Sequence, residues 1–188
     1  KLYDKVKNED IEILINNAGF GIFGKFEETN LNKEIDLIDT NIKAVHTLTK
    51  LFYKDFKEKN KGYILNVASS AAFLPGPLMS TYYASKAYVL RLTQALYEEL
   101  RVDHSNVYLG CLCPGPVDTN FNTVAGVEFS VKPLSAEMVA KYTIKKMFQR
   151  KWVIIPGKLM KVTFYAEHLV PTKILIRFAY KIQKKKDK

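Results

Sequence analysis

The hydrophobic residues fall into short apolar runs that alternate with longer stretches of helical periodicity. The runs are typical of buried strands and occupy residues 11–16, 62–69, 106–113 and 152–155. Between them, apolar positions three and four apart predict helices over 31–59, 80–104 and 136–150. Strands that alternate with helices indicate βαβ units, so the pattern predicts an α/β domain with a parallel sheet.

Prolines and glycines mark the breaks between these segments. Lys61-Gly62 ends the first long helix, and Pro114-Gly115-Pro116 ends the third strand. Loops are predicted over 20–31, 74–79 and 117–133, and the residues before position 11 fit a loop or the end of a helix. Two of these loops carry apolar side chains, which are Phe20, Phe23, Phe26, Phe121, Val124, Val127 and Phe129.

The charge of the chain is unevenly distributed. The formal net charge is +10, but residues 158–188 hold nine Lys or Arg and two Asp or Glu. Residues 1–157 are therefore close to neutral, which argues against a nucleic-acid-binding core. No run of eighteen apolar residues is present, so a membrane-spanning helix is not expected.

The two cysteines indicate a reducing compartment. Cys111 and Cys113 are two apart in a predicted strand, so both thiols should lie on one face. A loop this short disfavours a disulfide, and a metal site would need more ligands. Buried, reduced thiols, no bound metal and a cytoplasmic location are the expectations, and no secretory signal is visible before residue 11.

The candidate chemistry lies around one of five Tyr-x-x-x-Lys pairs. Tyr3, Tyr53, Tyr82, Tyr142 and Tyr180 all precede a lysine by four residues, so the pattern alone is weak. Tyr82 differs because it opens a predicted helix and follows Ser69, thirteen residues upstream at the end of a predicted strand.

Two further motifs complete an ordered set around Tyr82. Asn16-Asn17-Ala18-Gly19 lies upstream and Cys113-Pro114-Gly115-Pro116-Val117-Asp118-Thr119 lies downstream. Over residues 11–156 this set resembles the short-chain dehydrogenase/reductase family. The resemblance implies a doubly wound, Rossmann-like parallel sheet and an NAD(P)-dependent oxidoreductase that acts on a carbonyl/alcohol pair.

The resemblance also assigns catalytic roles. Tyr82 would be the acid/base, and Lys86, one helical turn later, would lower its pKa and bind the nicotinamide ribose. Ser69 would hold the substrate oxygen, and Asn41 would support a water-linked proton relay to the lysine. Alternatively, Asn41 is only a polar interruption of an apolar helix face, and Ser70 competes with Ser69 for its role.

Cofactor contacts are implied in three places. Asn17, Ala18 and Gly19 would run beside the adenine ribose, where small residues permit close approach of the backbone. Tyr82 and Lys86 would meet the nicotinamide ribose. The segment after the third strand would meet the nicotinamide amide and the phosphates, through Pro114, Gly115, Val117 and Thr119. The cofactor is expected to be NAD or NADP, with NADP slightly favoured.

A literal G-x-G-x-x-G over residues 19–24 is interpreted as a loop. A dinucleotide fingerprint opens a helix at its last glycine, whereas six residues with two acids follow Gly24 here. The family's own T-G-x-x-x-G-x-G loop occurs nowhere in the chain. Residues 1–157 are therefore expected to be the C-terminal two-thirds of a Rossmann-type domain that lacks its N-terminal strands.

Residues 158–188 form a basic, amphipathic extension. Around Pro171 they divide into two helix-like pieces, and in the second an apolar arc adjoins a basic arc. The apolar arc holds Ile174, Leu175, Phe178, Ala179 and Ile182, and the basic arc Lys173, Arg177, Lys181 and Lys184. Packing on protein is the first expectation, with the domain, a second subunit and the substrate pocket as the alternative surfaces. Contact with an anionic membrane surface is the second.

Two functions from different classes fit these observations. The first is an oxidoreductase for an apolar ketone or acyl-type substrate, suggested by Phe20, Phe73, Leu74, Phe121 and Phe129. The second is a catalytically silent binding or scaffold protein that keeps the fold. The presence of Asn41, Ser69, Tyr82 and Lys86 together favours the enzyme. The resemblance further implies a homo-oligomer, either a dimer or a tetramer.

Overall fold

The computed structural model describes residues 2–121, 125–126, 132–166 and 169–184. The helices of these residues are α1 (Leu2–Val6), α2 (Leu31–Ile38), α3 (Val45–Lys59), α4 (Ser80–Val102), α5 (Ala136–Phe148), α6 (Lys158–Ala166) and α7 (Thr172–Lys184). The strands are β1 (Ile13–Asn16), β2 (Tyr63–Val67), β3 (Tyr108–Leu112), β4 (Val117–Asp118), β5 (Leu134–Ser135) and β6 (Val153–Ile154). Val124, Val127 and Phe129 lie outside the described residues.

The predicted parallel sheet is confirmed. Four strands pair in the order β1-β2-β3-β6, and all three pairings are parallel. Asn16 of β1 lies beside Asn66 of β2, which lies beside Cys111 of β3. The carboxyl ends of the strands therefore meet at one edge of the sheet, where α/β proteins bind their ligands.

Helices cover both faces of this sheet. Ile64 and Leu109 pack against Phe52 and Phe56 of α3 and against α4. Their neighbours in sequence point the other way, and Leu65, Tyr108 and Leu112 pack with Val139 and Met147 of α5. This alternation explains the near-continuous apolar runs of β2 and β3, because both faces of each strand are buried.

The first long helix differs from its prediction at its centre. Residues 31–59 are helical, but Asp39–Ala44 form a π-helical segment between α2 and α3. The helix begins after Asn30, whose side chain accepts a hydrogen bond from the Lys33 backbone N–H, and it ends at Asn60 in a left-handed conformation. Hydrophobic periodicity did not reveal the π-segment, because one widened turn shifts the pattern by only one residue.

Smaller differences concern the strands. All four strands of the predicted sheet are shorter than expected, and a two-residue pair, β4 with β5, was not predicted at all. Two strands of two residues each are too short to show an alternation of apolar and polar positions in the sequence. β1 lies at one edge of the four-stranded sheet, and Ile13 and Ile15 are exposed there.

The C-terminal extension forms two helices separated at Pro171, as predicted. Met160 and Phe164 of α6 pack against a core cluster that includes Phe73, and Ala179 and Gln183 of α7 are buried. Packing on protein is thus confirmed for one face of each helix. In the described ranges no helix has both the length and the apolar character needed to cross a membrane.

Candidate active site

A cavity of about 1190 Å³ lies at the carboxyl ends of β2 and β3. Most of the residues implied by the family resemblance line it, and they are Asn17, Gly19, Ser69, Tyr82, Lys86, Pro114, Gly115, Val117 and Thr119. Asn41 and Ala18 are not in its wall. Asn41 is fully buried nearby, and Ala18 lies exposed between two residues that do line the cavity.

Ser69 and Tyr82 are positioned by the turns that follow β2. Ser69 begins a 3-10 turn, Ser70–Phe73, and its hydroxyl accepts a 3.1 Å hydrogen bond from the Ala71 backbone N–H. Tyr82 lies in the first turn of α4, where its ring contacts Phe121 at 5.3 Å between centroids. The phenol is therefore held in an apolar environment beside the cavity.

The surroundings of Tyr82 disfavour its ionised form. Burial raises the pKa of Tyr82 to about 12, and the side chain of Ser69 acts in the opposite direction. At neutral pH the phenol is therefore protonated, which is the state required of a proton donor. Of the two serines that the sequence left open, both line the cavity, and Ser69 is the one that interacts with the phenol. Its role toward the substrate stays a prediction.

Lys86 lies one turn after Tyr82, and its charge is also disfavoured by burial. Burial lowers the pKa of Lys86 to about 8, although the nearby Cys111 and Cys113 oppose the shift. Its Nζ donates a 3.0 Å hydrogen bond to the Val67 carbonyl oxygen and lies 5.9 Å from the centroid of the Tyr82 ring. The Lys86 ammonium is thus bonded to the Val67 carbonyl oxygen, and the lowering of the Tyr82 pKa that the resemblance implies for Lys86 stays a prediction.

Asn41 connects three elements from inside the π-helical segment. Its side-chain amide donates to the Phe20 carbonyl oxygen at 2.9 Å and to Ser85 Oγ at 3.0 Å. Its Oδ1 accepts from the Phe20 backbone N–H at 3.1 Å. Ser85 in turn donates to the Tyr82 carbonyl oxygen at 2.7 Å. Asn41 therefore braces the loop after β1 against the turn of α4 that carries Tyr82.

Gly19 lies directly against this group. A Cβ at Gly19 would stand 2.9 Å from Asn41 Oδ1 and 3.1 Å from Lys86 Nζ, which is too close for a side chain. At Gly19 the backbone therefore lies directly against the side chains of Asn41 and Lys86. Asn17, Ala18 and Gly19 are all exposed, so this stretch is open to a ligand.

The segment after β3 forms the opposite wall. Pro114, Gly115, Pro116 and Val117 are partly buried, and Thr119 is exposed. A Cβ at Gly115 would lie 2.7 Å from Met160 Cγ of α6. The absence of a side chain at Gly115 thus permits close packing of the C-terminal extension on this wall.

The extension contributes a third wall that the sequence did not place. Leu159, Met160, Val162, Thr163 and Ala166 of α6 line the cavity, together with Leu175, Phe178, Ala179, Ile182 and Gln183 of α7. The Gln183 side-chain amide donates to the Tyr83 hydroxyl, which joins α7 to the start of α4. The sequence indicated this wall only through the apolar arc of α7. That arc did not identify the surface that the helix covers.

Of the five apolar residues named from the sequence, three line the cavity, one packs in the core and one lies outside the described residues. Phe20, Leu74 and Phe121 are in its wall. Phe73 instead packs in the core against Phe164 at 4.8 Å between ring centroids. Phe129 lies outside the described residues.

The other Tyr-x-x-x-Lys pairs have different surroundings. Tyr3 donates to the Asp55 carboxylate, and Lys57 pairs with Asp103 on the surface. None of Tyr3, Tyr53, Tyr142 and Tyr180 lines the cavity. The G-x-G-x-x-G stretch is a loop, as predicted, since the next helix begins only at Leu31.

A sequence model described as short chain dehydrogenase matches residues 1–127, which is more than half of the chain. The chain belongs to the short-chain dehydrogenase family. Members of this family are oxidoreductases with a Rossmann-like fold, and the ordered motifs and the parallel sheet agree with that membership.

Two curated relatives show the range of the family around this chain. Mouse 17-beta-hydroxysteroid dehydrogenase type 3 is 35% identical over 124 residues, which are 63% of this chain and 40% of that protein. Mouse very-long-chain 3-oxoacyl-CoA reductase is 32% identical over 152 residues, 77% of this chain and 47% of that protein. The chain thus spans less than half the length of these relatives.

A solved structure gives the same picture of the fold. The short-chain dehydrogenase from Sphingobium yanoikuyae, in complex with NADPH, superposes with a TM-score of 0.74 and 29% identity. The match covers 81% of this chain and 59% of that one.

Proposed function

We propose that this chain carries the catalytic part of an NAD(P)-dependent oxidoreductase that interconverts a carbonyl and an alcohol. The observation that carries the proposal is the convergence of Ser69, Tyr82 and Lys86 on one cavity at the carboxyl ends of the strands. The protein retains all of the side chains needed for proton transfer, which supports an enzyme over a silent scaffold.

Tyr82 is the proposed acid/base. With a pKa raised to about 12 it is protonated at neutral pH, so it can donate its proton to a carbonyl oxygen as that oxygen gains negative charge. Ser69 interacts with the same phenol and can hold the substrate oxygen beside it. Together they stabilise the charge that develops on the substrate oxygen.

Lys86 and Asn41 have supporting roles. Lys86 brings a positive charge within 5.9 Å of the Tyr82 ring, which favours the phenolate that forms after proton donation. Asn41 holds Phe20, Ser85 and, through Ser85, the backbone of Tyr82. The proposed role of Asn41 is to fix the turn of α4 that carries Tyr82. Asn41 would also support the proton relay that the resemblance implies.

The residues around the cavity fit a nicotinamide dinucleotide. Gly19 leaves open backbone beside Asn41 and Lys86, and the Lys86 ammonium is a buried donor in the cavity wall. Asn17, Ala18 and Gly19 would hold one end of the cofactor, and Pro114, Gly115, Val117 and Thr119 the other. When bound, the cofactor supplies the hydride. The related structure contains NADPH, which supports NADP without excluding NAD.

The proposed substrate is a bulky, apolar ketone or acyl-type carbonyl compound. Its part of the cavity is walled by aromatic and aliphatic side chains from the loop after β1 and from α6 and α7. One relative is named for a hydroxysteroid and another for a very-long-chain acyl group, both of which are bulky and apolar. Buried apolar walls favour such ligands through the hydrophobic effect.

The location and assembly remain predictions. Cys111 and Cys113 are both free and buried, which supports a reducing compartment such as the cytoplasm. The homo-oligomer implied by the resemblance is a further prediction.

The proposal is tested by following the oxidation of NADPH and of NADH in the presence of ketones of increasing size. The protein should reduce bulky apolar ketones with one of the two cofactors, and small polar ketones poorly. Cofactor binding with no reduction of any carbonyl compound, and no oxidation of the matching alcohols, would support the silent scaffold instead.

A further inference from the structure

The outer face of α7 leaves an apolar stripe exposed. Ile174, Phe178 and Ile182 are spaced four apart and are 57%, 63% and 38% exposed. Leu175, Ala179 and Gln183, one position later in each case, face the cavity. The apolar arc that the sequence predicts is therefore only partly used in packing.

The outer face of α6 repeats this arrangement. Leu159, Val162 and Tyr165 are spaced three apart and are exposed, whereas Met160 and Phe164 pack on the core. Leu169, between the two helices, is more exposed still. These seven exposed apolar residues are here called the tail surface: Leu159, Val162, Tyr165, Leu169, Ile174, Phe178 and Ile182.

The tail surface surrounds the mouth of the cavity. Four of its members also line the cavity, although their exposed fractions are 58% for Leu159, 64% for Val162, 63% for Phe178 and 38% for Ile182. A side chain that is both exposed and part of a cavity wall lies where the cavity opens. The opening is thus bordered by apolar groups that are left in water, an arrangement that marks an interaction site.

Basic residues flank this surface. Both helices carry exposed cations, namely Lys158, Lys161, Lys173, Arg177, Lys181 and Lys184. Residues 158–166 and 169–184 contain no acidic residue. Within the described part of the chain no salt bridge involves any of these six cations.

We propose that the tail surface docks on an anionic lipid bilayer, so that the mouth of the cavity opens toward the lipid. An apolar stripe bordered by Lys and Arg matches such a surface, because the apolar groups enter the acyl boundary while the cations meet the headgroups. The helices lie on the membrane and do not cross it.

The charge distribution favours lipid over a second copy of this chain. In a two-fold symmetric contact the same patch meets itself, so the six cations of one copy would lie near those of the other. Like charges at an interface oppose association. An anionic bilayer instead complements both the cations and the apolar stripe.

This orientation would give an apolar substrate a direct path from the bilayer into the cavity, an extension that rests on the proposed function. Docking itself does not rest on it, because vesicle binding requires no turnover. The docking proposal and the proposed function can therefore be refuted independently of each other.

The test is flotation of the purified, full-length protein with phosphatidylcholine vesicles, with and without phosphatidylserine. The protein should float with the anionic vesicles and much less with the neutral ones. Leu169→Ser with Ile174→Ser removes exposed apolar groups that do not line the cavity. Arg177→Gln with Lys181→Gln removes two cations. Each double variant should lower the partition coefficient about tenfold or more.

Two matched control variants test whether the loss of flotation is specific to the tail surface. Leu2→Ser with Val102→Ser removes two apolar groups that are 58% and 60% exposed, and Val102 lies about 33 Å from the cavity end of α4. Lys50→Gln with Lys54→Gln removes two cations spaced four apart on α3. Neither control should change flotation.

Several results would overturn the proposal. They are the absence of flotation, flotation that no tail variant reduces, or equal losses in the tail and control variants. Light scattering that shows a dimer, which the tail variants dissociate without a change in flotation, would assign the surface to a second copy instead. If docking holds, the tail variants should slow reduction of a vesicle-borne ketone and leave a water-soluble ketone unaffected.

Discussion

At the scale of single residues, Lys86 is the group in the site that lowers the stability of the fold most. Its pKa falls from 10.5 to about 8 because the ammonium is buried. One pKa unit corresponds to about 1.4 kcal/mol, so the charged form weakens the fold at neutral pH by on the order of 3 kcal/mol. A group kept at such a cost is expected to serve function and not stability.

The first prediction concerns the stability of Lys86→Met. At pH 7 without cofactor, this variant should have a free energy of unfolding about 1 to 3 kcal/mol higher than the unchanged protein, because it removes a buried charge. Urea unfolding measures the change. The exposed Lys50→Met serves as the control and should differ by less than about 0.5 kcal/mol.

The lowered pKa of Lys86 also determines how the free energy of unfolding depends on pH. Between pH 8 and 10.5 the unfolded chain holds a proton that the folded Lys86 has released. The Lys86 contribution should therefore make the protein more stable as the pH rises through this window, and Lys86→Met should lose that rise. An identical pH profile in the two proteins would show that Lys86 does not titrate in this range.

At the scale of elements, the π-helical segment Asp39–Ala44 places Asn41. Helical spacing in the sequence predicted the helix around it, and the resemblance singled out Asn41. Neither predicted the π-turn, because it depends on what Asn41 meets, namely Phe20 and Ser85 from segments far along the chain. Local patterns carry no information about such partners.

The second prediction follows from these contacts. Asn41→Ala should remove the hydrogen bonds to Phe20 and Ser85 and leave buried polar groups unpaired, at a cost of about 1 to 3 kcal/mol. It should also lower kcat, since the turn of Tyr82 loses its brace. Chemical denaturation and steady-state kinetics measure the two effects. Loss of stability with an unchanged kcat would restrict Asn41 to a structural role.

The third prediction concerns helix α7 as a wall of the cavity. Ala179 is buried and lines the cavity, so Ala179→Leu should fill space that a large substrate needs. The ratio kcat/KM should fall about tenfold for bulky ketones and change little for small ones. Thr172→Leu, on the exposed first turn of the same helix, is the control. An equal loss for all substrates would indicate a misplaced helix.

At the scale of the whole molecule, the sequence predicted the sheet and the main site because both have strong local signals. Apolar runs located β2 and β3, and the ordered motifs pointed to Ser69 after β2 and to Tyr82 and Lys86 at the start of α4. The β4–β5 pair escaped prediction, since two residues show no periodicity. The wall formed by α6 and α7 also escaped, because an amphipathic helix does not specify which surface its apolar face covers.

The residues that line the cavity support a single interpretation of the molecule as an oxidoreductase. The buried phenol, the buried ammonium and the apolar walls meet in this one cavity. In the proposed reaction Tyr82 donates the proton to the substrate oxygen. The other four Tyr-x-x-x-Lys pairs provide natural controls within the same protein.

The role of Tyr82 is tested by comparing the kcat of Tyr82→Phe with that of Tyr142→Phe. Tyr82→Phe keeps the ring and removes the proton, so kcat should fall about 10² to 10⁴-fold while cofactor binding is retained. Tyr142→Phe, in a pair outside the cavity, should retain nearly full activity. An unchanged kcat in Tyr82→Phe would show that Tyr82 does not donate the proton.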